Sequence, residues 1–240
     1  MNTSVKKDIQ IHSDDSVYRY RVSAIHELTQ YISEIVLQPV MQSLSYNAGQ
    51  YVHVIQNEYS SPLSIACAPN KDKTLEFHLY HSPDNYNANE LLRVAKEHKE
   101  WKLRGPFGHC TSDKLQINSP IIFLAHNTGF APIKAVIEAL KQSTAKQSIH
   151  LYWSVPRHQH FYLQSLLTKW QEESDFKFTL VIRNTSLQDY KTLHELAVMD
   201  YPKLSCAQVY ASGPKPFVYA AFDCFSQYGL PRFAFYSDML

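Results

Sequence analysis

Short runs of alternating apolar and polar residues dominate the first half of the chain. Alternation over about four to eight residues is typical of strands with one buried face. Turn signals such as Asn47-Ala48-Gly49 and Pro69-Asn70-Lys71-Asp72 separate the runs, and closely spaced strands of this kind favour a small antiparallel β-barrel. Strands are predicted over residues 17–25, 31–40, 50–56, 62–68 and 74–81.

One helix interrupts these strands. It is predicted over residues 87–97, where Asn87 is a candidate N-cap and Leu91, Leu92 and Val94 form an apolar side. The Gly105-Pro106-Phe107-Gly108 segment then indicates a turn that ends the strand-rich half.

After residue 115 the pattern changes to strand followed by helix. The apolar run 120–125 leads through a loop into a segment over 131–142, whose apolar residues Ile133, Val136, Ile137 and Leu140 share one helical face. Such alternation predicts an open parallel sheet covered by helices on both faces. Further strands are predicted over 149–155, 176–183 and 207–212, and further helices over 159–172, 191–198 and 215–227.

The chain is therefore predicted to have two domains, a β domain followed by an α/β domain. Residues 1–114 would form the antiparallel β-barrel, and residues 115–240 the domain with the parallel sheet. The length of 240 residues, with 45% hydrophobic and 19% charged side chains, suits such a folded protein.

The charge and the cysteine and histidine content of the chain reduce the number of functions that it can have. The 23 basic and 22 acidic residues are spread along the chain, so a nucleic-acid partner is not expected. The polar N-terminal residues and the lack of an apolar run long enough to cross a bilayer lead us to expect a cytoplasmic protein without a membrane span. The four cysteines are widely spaced and are expected to be free thiols, and the 12 histidines form no metal-ligand motif, so no metal is expected.

Three segments carry candidate chemistry. Gly49-Gln50-Tyr51 precedes Ser61-Pro62-Leu63-Ser64 in the strand-rich half. Thr128-Gly129-Phe130-Ala131 connects a strand to a helix, where backbone amides and the helix dipole suit a pyrophosphate. Ser212-Gly213-Pro214-Lys215 follows the last predicted strand of the parallel sheet. Each segment alone is also an ordinary strand or turn, so only their joint order is informative.

In that order and spacing, the segments resemble those of the ferredoxin–NADP reductase superfamily. The resemblance runs from about Tyr18 to Met239 and is greatest to NAD(P)H–flavin reductases and the reductase modules of oxygenases. It implies a flavin, FAD or FMN, at the β-barrel, and NADH or NADPH at the parallel sheet. It also implies a flavin that binds weakly or serves as a substrate. A redox partner protein such as an oxygenase is implied as well.

The resemblance also implies roles for single residues. Ser64 stands where relatives place a hydroxyl beside flavin N5, and Ser212 where a small residue lies near the reacting nicotinamide carbon; these two are the predicted catalytic residues. The predicted cofactor-binding residues are Tyr51, Pro62, Leu63, Ser64, Thr128, Gly129, Phe130, Ala131, Arg157, Gly213, Pro214 and Lys215.

The chain departs from the family pattern at three places. Ser61 replaces the arginine that holds the flavin tail, and because a serine carries no charge we expect weak flavin binding or none. His126 and Asn127 replace two glycines; Asn tolerates left-handed backbone angles better than His, and we expect a more crowded loop. Ser212 replaces a cysteine.

Two functions follow from these observations. The leading hypothesis is an NAD(P)H-dependent flavin oxidoreductase or electron-transfer reductase, in which hydride passes from nicotinamide to flavin N5. The alternative is a degenerate member of the fold that acts as a non-catalytic binding or regulatory module. The sequence leaves open whether the dinucleotide is NADH or NADPH, which flavin binds, the final electron acceptor and the oligomeric state.

Overall fold

A computed structural model of the chain describes residues 17–56, 59–116, 118–143, 147–182 and 189–240. The N-terminal part of these residues is a six-stranded antiparallel sheet in the order β4-β3-β6-β1-β2-β5. Just beyond the end of β4, the Ala66 amide donates to the Glu76 carbonyl at 2.7 Å, which brings the two edge strands together. The strands are β1 Val17–Thr29, β2 Ile32–Pro39, β3 Tyr51–Gln56, β4 Tyr59–Ser64, β5 Leu75–Tyr80 and β6 Glu100–Phe107.

Most of these strands match the predicted runs, but β1 continues to Thr29 instead of ending at residue 25, and β4 ends at Ser64 instead of residue 68. β4 begins at Tyr59 instead of residue 62, and β6 was not predicted. Gly105 and Pro106 indicated a turn but lie inside β6, where Gly105 has a φ of +146° that only glycine adopts easily. The helix α1, Tyr86–Glu97, is capped by Asn85 instead of the predicted Asn87.

The second part is a five-stranded parallel sheet in the order β11-β10-β7-β8-β9. Its helices α2 and α3 pack with one hydrophobic cluster and α4 and α5 with another, so both faces are covered as predicted. The elements are β7 Ile121–His126, α2 Phe130–Gln142, β8 Ile149–Val155, α3 Gln164–Glu173, β9 Phe176–Ile182, α4 Asp189–Asp200, β10 Gln208–Ser212, α5 Lys215–Gln227 and β11 Phe235–Tyr236.

The start of α3 differs from the prediction. Residues 158–160 form a separate 3-10 turn, and Leu163 takes a left-handed conformation with φ +55°, which prevents a continuous helix from residue 159. Neither feature has a sequence signal as clear as a proline or a glycine.

The two sheets share buried contacts. Ile32 and Ala48 of the N-terminal part belong to the same hydrophobic cluster as Phe123 and Trp153 of the parallel sheet. The predicted domain boundary at residue 114 falls between β6 and β7, and it stays a prediction. No helix within the described ranges is both long and apolar enough to cross a membrane.

Candidate active site

The ends of β3 and β4 form the first wall of a cleft between the two sheets. Tyr51 pairs with Ser64 and His53 with Pro62, and paired residues of antiparallel strands point to the same face. The intervening residue Val52 is fully buried in the barrel core. Tyr51, His53, Pro62 and Ser64 therefore share the outer face of the sheet, next to the parallel sheet.

The carboxyl ends of the neighbouring parallel strands β7 and β10 form the opposite wall. Residues Asn127–Gly129 make one 3-10 turn after β7, and α2 follows at once. Gly129 lies so close to the end of β10 that a Cβ atom on it would be 2.2 Å from the Ser212 carbonyl oxygen. Glycine is thus required here because two loops touch.

Hydrogen bonds from β8 fix the loop after β7. Asn127 takes the left-handed conformation that its residue type allows, with φ +52°, and its carbonyl accepts a bond from Trp153 Nε1 at 2.9 Å. His126 stays extended, with φ −121°, and its Nδ1 lies 2.9 Å from Ser154 Oγ. The loop is also crowded, because a Cβ atom on Gly213 would lie 3.1 Å from the His126 Cβ.

The two walls enclose a central cleft of about 350 Å³, lined by residues that include Tyr51, Pro62, Ser64, Ser212 and Gly213. It is continuous with a loop cleft of about 380 Å³, which shares Pro62, Ser64, Ser212 and Gly213 and extends to Asn127 and Thr128. Volumes of this size are typical of cofactor sites. Both predicted catalytic serines thus line both clefts.

A third space, the side groove, opens from the loop cleft toward the start of α1. It measures about 310 Å³ and is lined by polar residues that include Ser61, His78, Asn85, Asn87 and Thr128. Burial, aided by the positive charge of Lys134, lowers the pKa of His78 to about 3, so its imidazole is neutral at pH 7. The groove is therefore lined with neutral polar groups at the position where the family's arginine is replaced.

The structure brings most of the predicted binding residues together. The clefts are lined by Tyr51, Pro62, Leu63, Ser64, Thr128, Gly129, Ala131, Ser212, Gly213 and Pro214.

Three predicted residues lie elsewhere. The Phe130 side chain is fully buried and stacks on Trp153 with ring centroids 4.3 Å apart, so it belongs to the core. Arg157 and Lys215 are exposed and line none of the three spaces. Lys215 begins α5, whose inward side is occupied by apolar residues such as Phe217.

Some site residues were missed. His53 lines the central cleft, and its two-residue spacing from Tyr51 on a strand was the available signal. The C-terminal residues Asp238 and Met239 also line it.

The Asp238 carboxylate accepts hydrogen bonds from the backbone amides of His109 at 2.8 Å and Cys110 at 3.2 Å. Burial, together with this carboxylate, raises the pKa of the Cys110 thiol to about 12.

The architecture defines the class of protein. A dinucleotide binds at the carboxyl ends of parallel strands in open α/β sheets, and here those ends face a largely apolar, aromatic-lined wall of an antiparallel sheet. The class is that of two-domain NAD(P)H-dependent flavin oxidoreductases.

Comparisons with known proteins agree with this class. Residues 123–222 match the family model of the oxidoreductase NAD-binding domain. The chain is 29% identical over 232 residues to CDP-6-deoxy-L-threo-D-glycero-4-hexulose-3-dehydrase reductase of Yersinia pestis, covering 95% of this chain and 70% of that protein. It is 25% identical to the reductase component of propane 2-monooxygenase of Rhodococcus jostii, covering 92% of this chain and 62% of that protein.

A solved structure shows the same fold. The cytochrome P450 reductase GcoB of Amycolatopsis superimposes with a TM-score of 0.80 at 18% identity, over 92% of this chain and 68% of that one. The chain thus resembles the flavin reductases and oxygenase reductase components of the ferredoxin–NADP reductase superfamily. It is an oxidoreductase that uses a nicotinamide dinucleotide and a flavin.

Proposed function

We propose that the central cleft is where a nicotinamide dinucleotide reduces a flavin, and that the flavin then supplies electrons to a separate acceptor. The observation that carries this proposal is that Ser64 of the flavin-side wall and Ser212 of the nucleotide-side wall line the same cleft. When bound, the flavin accepts hydride at N5 and passes electrons onward.

The residues of the first wall suit a flavin ring. Such a ring is flat and apolar on its faces and needs a few hydrogen bonds at its edge. Tyr51 and Pro62 offer apolar surface, and Ser64 offers a hydroxyl that can donate or accept at the edge. Tyr51 is itself held by Phe107, with ring centroids 5.7 Å apart.

The residues of the second wall suit the dinucleotide. The start of α2 presents backbone amides for a phosphate, and Gly213 of the facing loop lines the same loop cleft. Asn127 Oδ1 is buried and has no hydrogen-bond partner among the described residues. A buried acceptor of this kind is costly to leave unpaired, so it suits a donor on the bound dinucleotide.

The roles of the two serines are positional. Hydride transfer between two rings needs contact and alignment and no strong acid or base. Ser64 would orient the flavin edge by one hydrogen bond, and Ser212, being small, would let the nicotinamide approach it.

The electron acceptor is part of the proposal. The similar proteins named above are reductases of a dehydrase and of oxygenases, so the acceptor proposed for this chain is a partner protein of an oxygenase-like system. A cytoplasmic location is proposed as well, because that compartment supplies NADH and NADPH and keeps thiols such as Cys67 and Cys110 reduced.

An anaerobic titration tests this function. Purified protein with one equivalent of FAD, FMN or riboflavin is titrated with NADH and then NADPH while the absorbance of oxidised flavin is followed. We expect bleaching much faster than in a protein-free control, with one dinucleotide preferred. Bleaching at the control rate, with the fold intact by circular dichroism, would support the non-catalytic binding module instead.

A further inference from the structure

The loop after β7 carries a polar side chain where the family pattern has a glycine. Asn127 stands at this position and lines the loop cleft together with Thr128 and Ser212. Its Oδ1 atom is buried and accepts no hydrogen bond within the described ranges of the chain. A buried acceptor in this state is unfavourable unless a bound molecule donates a hydrogen bond to it.

Two features hold Asn127 in place. Its φ of +52° lies in the left-handed region, which asparagine and glycine adopt more readily than other residues. Its carbonyl oxygen accepts a hydrogen bond from Trp153 Nε1 at 2.9 Å, and the Trp153 ring is fully buried and stacks on Phe130. The side chain of Asn127 therefore starts from a rigid backbone, as a group that selects a ligand requires.

Asn127 lies close to the position proposed for the nicotinamide ring. Ser212 lies opposite Ala125 in the register of β10 and β7, so Asn127 comes two residues beyond that point. A Cβ atom on Gly129 would be 2.2 Å from the Ser212 carbonyl oxygen. The turn that begins at Asn127 thus folds back onto the end of β10, beside the residue proposed to adjoin the reacting carbon.

The position of the acceptor narrows the choice of donor. An NAD(P) molecule carries three kinds of donor, which are the carboxamide amino group, the ribose hydroxyls and the adenine amino group. The carboxamide is attached to C3 of the nicotinamide ring, next to the reacting carbon C4, whereas the adenine is at the opposite end of the molecule. A ring with C4 beside Ser212 therefore brings its carboxamide near Asn127.

We propose that Asn127 is a specificity-determining residue, whose Oδ1 accepts a hydrogen bond from the carboxamide amino group of the nicotinamide. This rests on the proposed function. The bond selects dinucleotides that carry an amide at C3 over those that have no donor there. It also fixes the rotation of the nicotinamide ring, and alignment of this kind is what hydride transfer to a flavin needs.

A dinucleotide analogue tests the proposal. Protein with one equivalent of flavin is titrated by calorimetry with the preferred oxidised dinucleotide, NAD⁺ or NADP⁺, and with its 3-acetylpyridine analogue, in which a methyl group replaces the carboxamide amino group. Neither compound can reduce oxidised flavin, so binding is measured without reaction. We expect the wild type to bind the analogue at least about tenfold more weakly, because the acceptor then stays unpaired.

Three variants show whether Asn127 causes this difference. Asn127→Gly tolerates the left-handed backbone but lacks the acceptor, so both dinucleotides should bind equally, about as weakly as the analogue binds to the wild type. Asn127→Asp keeps an acceptor oxygen, so the ratio of the two dissociation constants should stay near that of the wild type. His126→Gly is the matched control, because it also replaces a side chain of the loop cleft by glycine, and it should keep the wild-type ratio.

Four results would overturn the role of Asn127. The wild type could bind both dinucleotides equally, or it could bind neither. Asn127→Gly could weaken both by the same factor, since the donor would then be one that both share, such as a ribose hydroxyl. Loss of all binding in Asn127→Gly, with the fold intact by circular dichroism, would show that Asn127 only holds the loop.

The anaerobic titration separates this role from the proposed function. Fast flavin bleaching together with any of these four results would leave the reductase function standing without the carboxamide contact. Discrimination that depends on Asn127, with bleaching only at the control rate, would count against the reductase function and leave the contact standing.

Discussion

At the scale of single residues, the side groove shows what the loss of one arginine does. Ser61 lines this groove together with Asn85 and Asn87, and all three are neutral. Ser61 lies opposite Val54, whereas the adjacent Ser60 lies opposite Ile55, so the two serines point to different faces of β4. The groove is therefore able to take a flavin tail by hydrogen bonds but offers no charge to a phosphate from these positions.

Restoring the charge should restore phosphate recognition. Ser61→Arg is expected to tighten FMN binding by about 10- to 100-fold, because a charge-assisted hydrogen bond contributes about 1.5–3 kcal/mol. Riboflavin has no phosphate, so its affinity should stay unchanged. Quenching of flavin fluorescence measures both constants.

The matched control is Ser60→Arg, which adds the same charge on the other face of β4. If both variants tighten FMN equally, the effect is general electrostatics and the side groove is not the tail site.

At the scale of elements, helix α2 joins the two sheets through one buried ion network. Lys134 Nζ lies 2.8 Å from Glu76 Oε2 on β5, 2.7 Å from Glu138 Oε1 and 2.9 Å from the Ala66 carbonyl oxygen. Glu138 also accepts the Ala68 amide at 3.1 Å. Only 6% of the Lys134 side chain is exposed. This network fixes α2 against β5 and against the loop that follows Ser64.

Removing the lysine should destabilise the protein strongly. Lys134→Met leaves two carboxylates that are only partly exposed without their cation, and breaking such a pair costs about 3 kcal/mol. Arg93→Met is the comparison, because Arg93 pairs with Glu90 and Glu97 on the exposed surface of α1, where a pair contributes at most about 1 kcal/mol. Urea denaturation of both variants gives the difference, and equal shifts of the midpoint would contradict the role of the network.

Sequence patterns predicted elements better than the contacts between them. Strand β8 and helix α5 were predicted at their observed bounds, because a continuous apolar run and a clear helical period leave little choice. Strand β6 was missed because Gly105-Pro106 is a turn signal, although Trp101 and Leu103 alternate with polar residues as a strand requires. The pairing of β1 with β6 joins segments about 80 residues apart, and no local pattern reports that register.

At the scale of the whole molecule, the two sheets bring residues from distant parts of the chain to one cleft. The family resemblance identified Ser64 and Ser212 as candidate residues. That both line one cleft depends on the contacts between the sheets, which are made by the shared hydrophobic cluster, the Lys134 network and the Asp238 carboxylate. Asp238 holds the amides of His109 and Cys110, in the segment between β6 and β7. A fixed cleft predicts that the two rings meet in a single orientation.

The stereochemistry of hydride transfer tests this directly. Protein with one equivalent of flavin is reduced anaerobically with the preferred dinucleotide, deuterated at C4 in either the R or the S position, and the oxidised product is analysed by mass spectrometry. We expect the deuterium to be lost completely from one epimer and retained completely in the other. Partial loss from both epimers, as in the reaction without protein, would contradict the claim that the central cleft holds both rings.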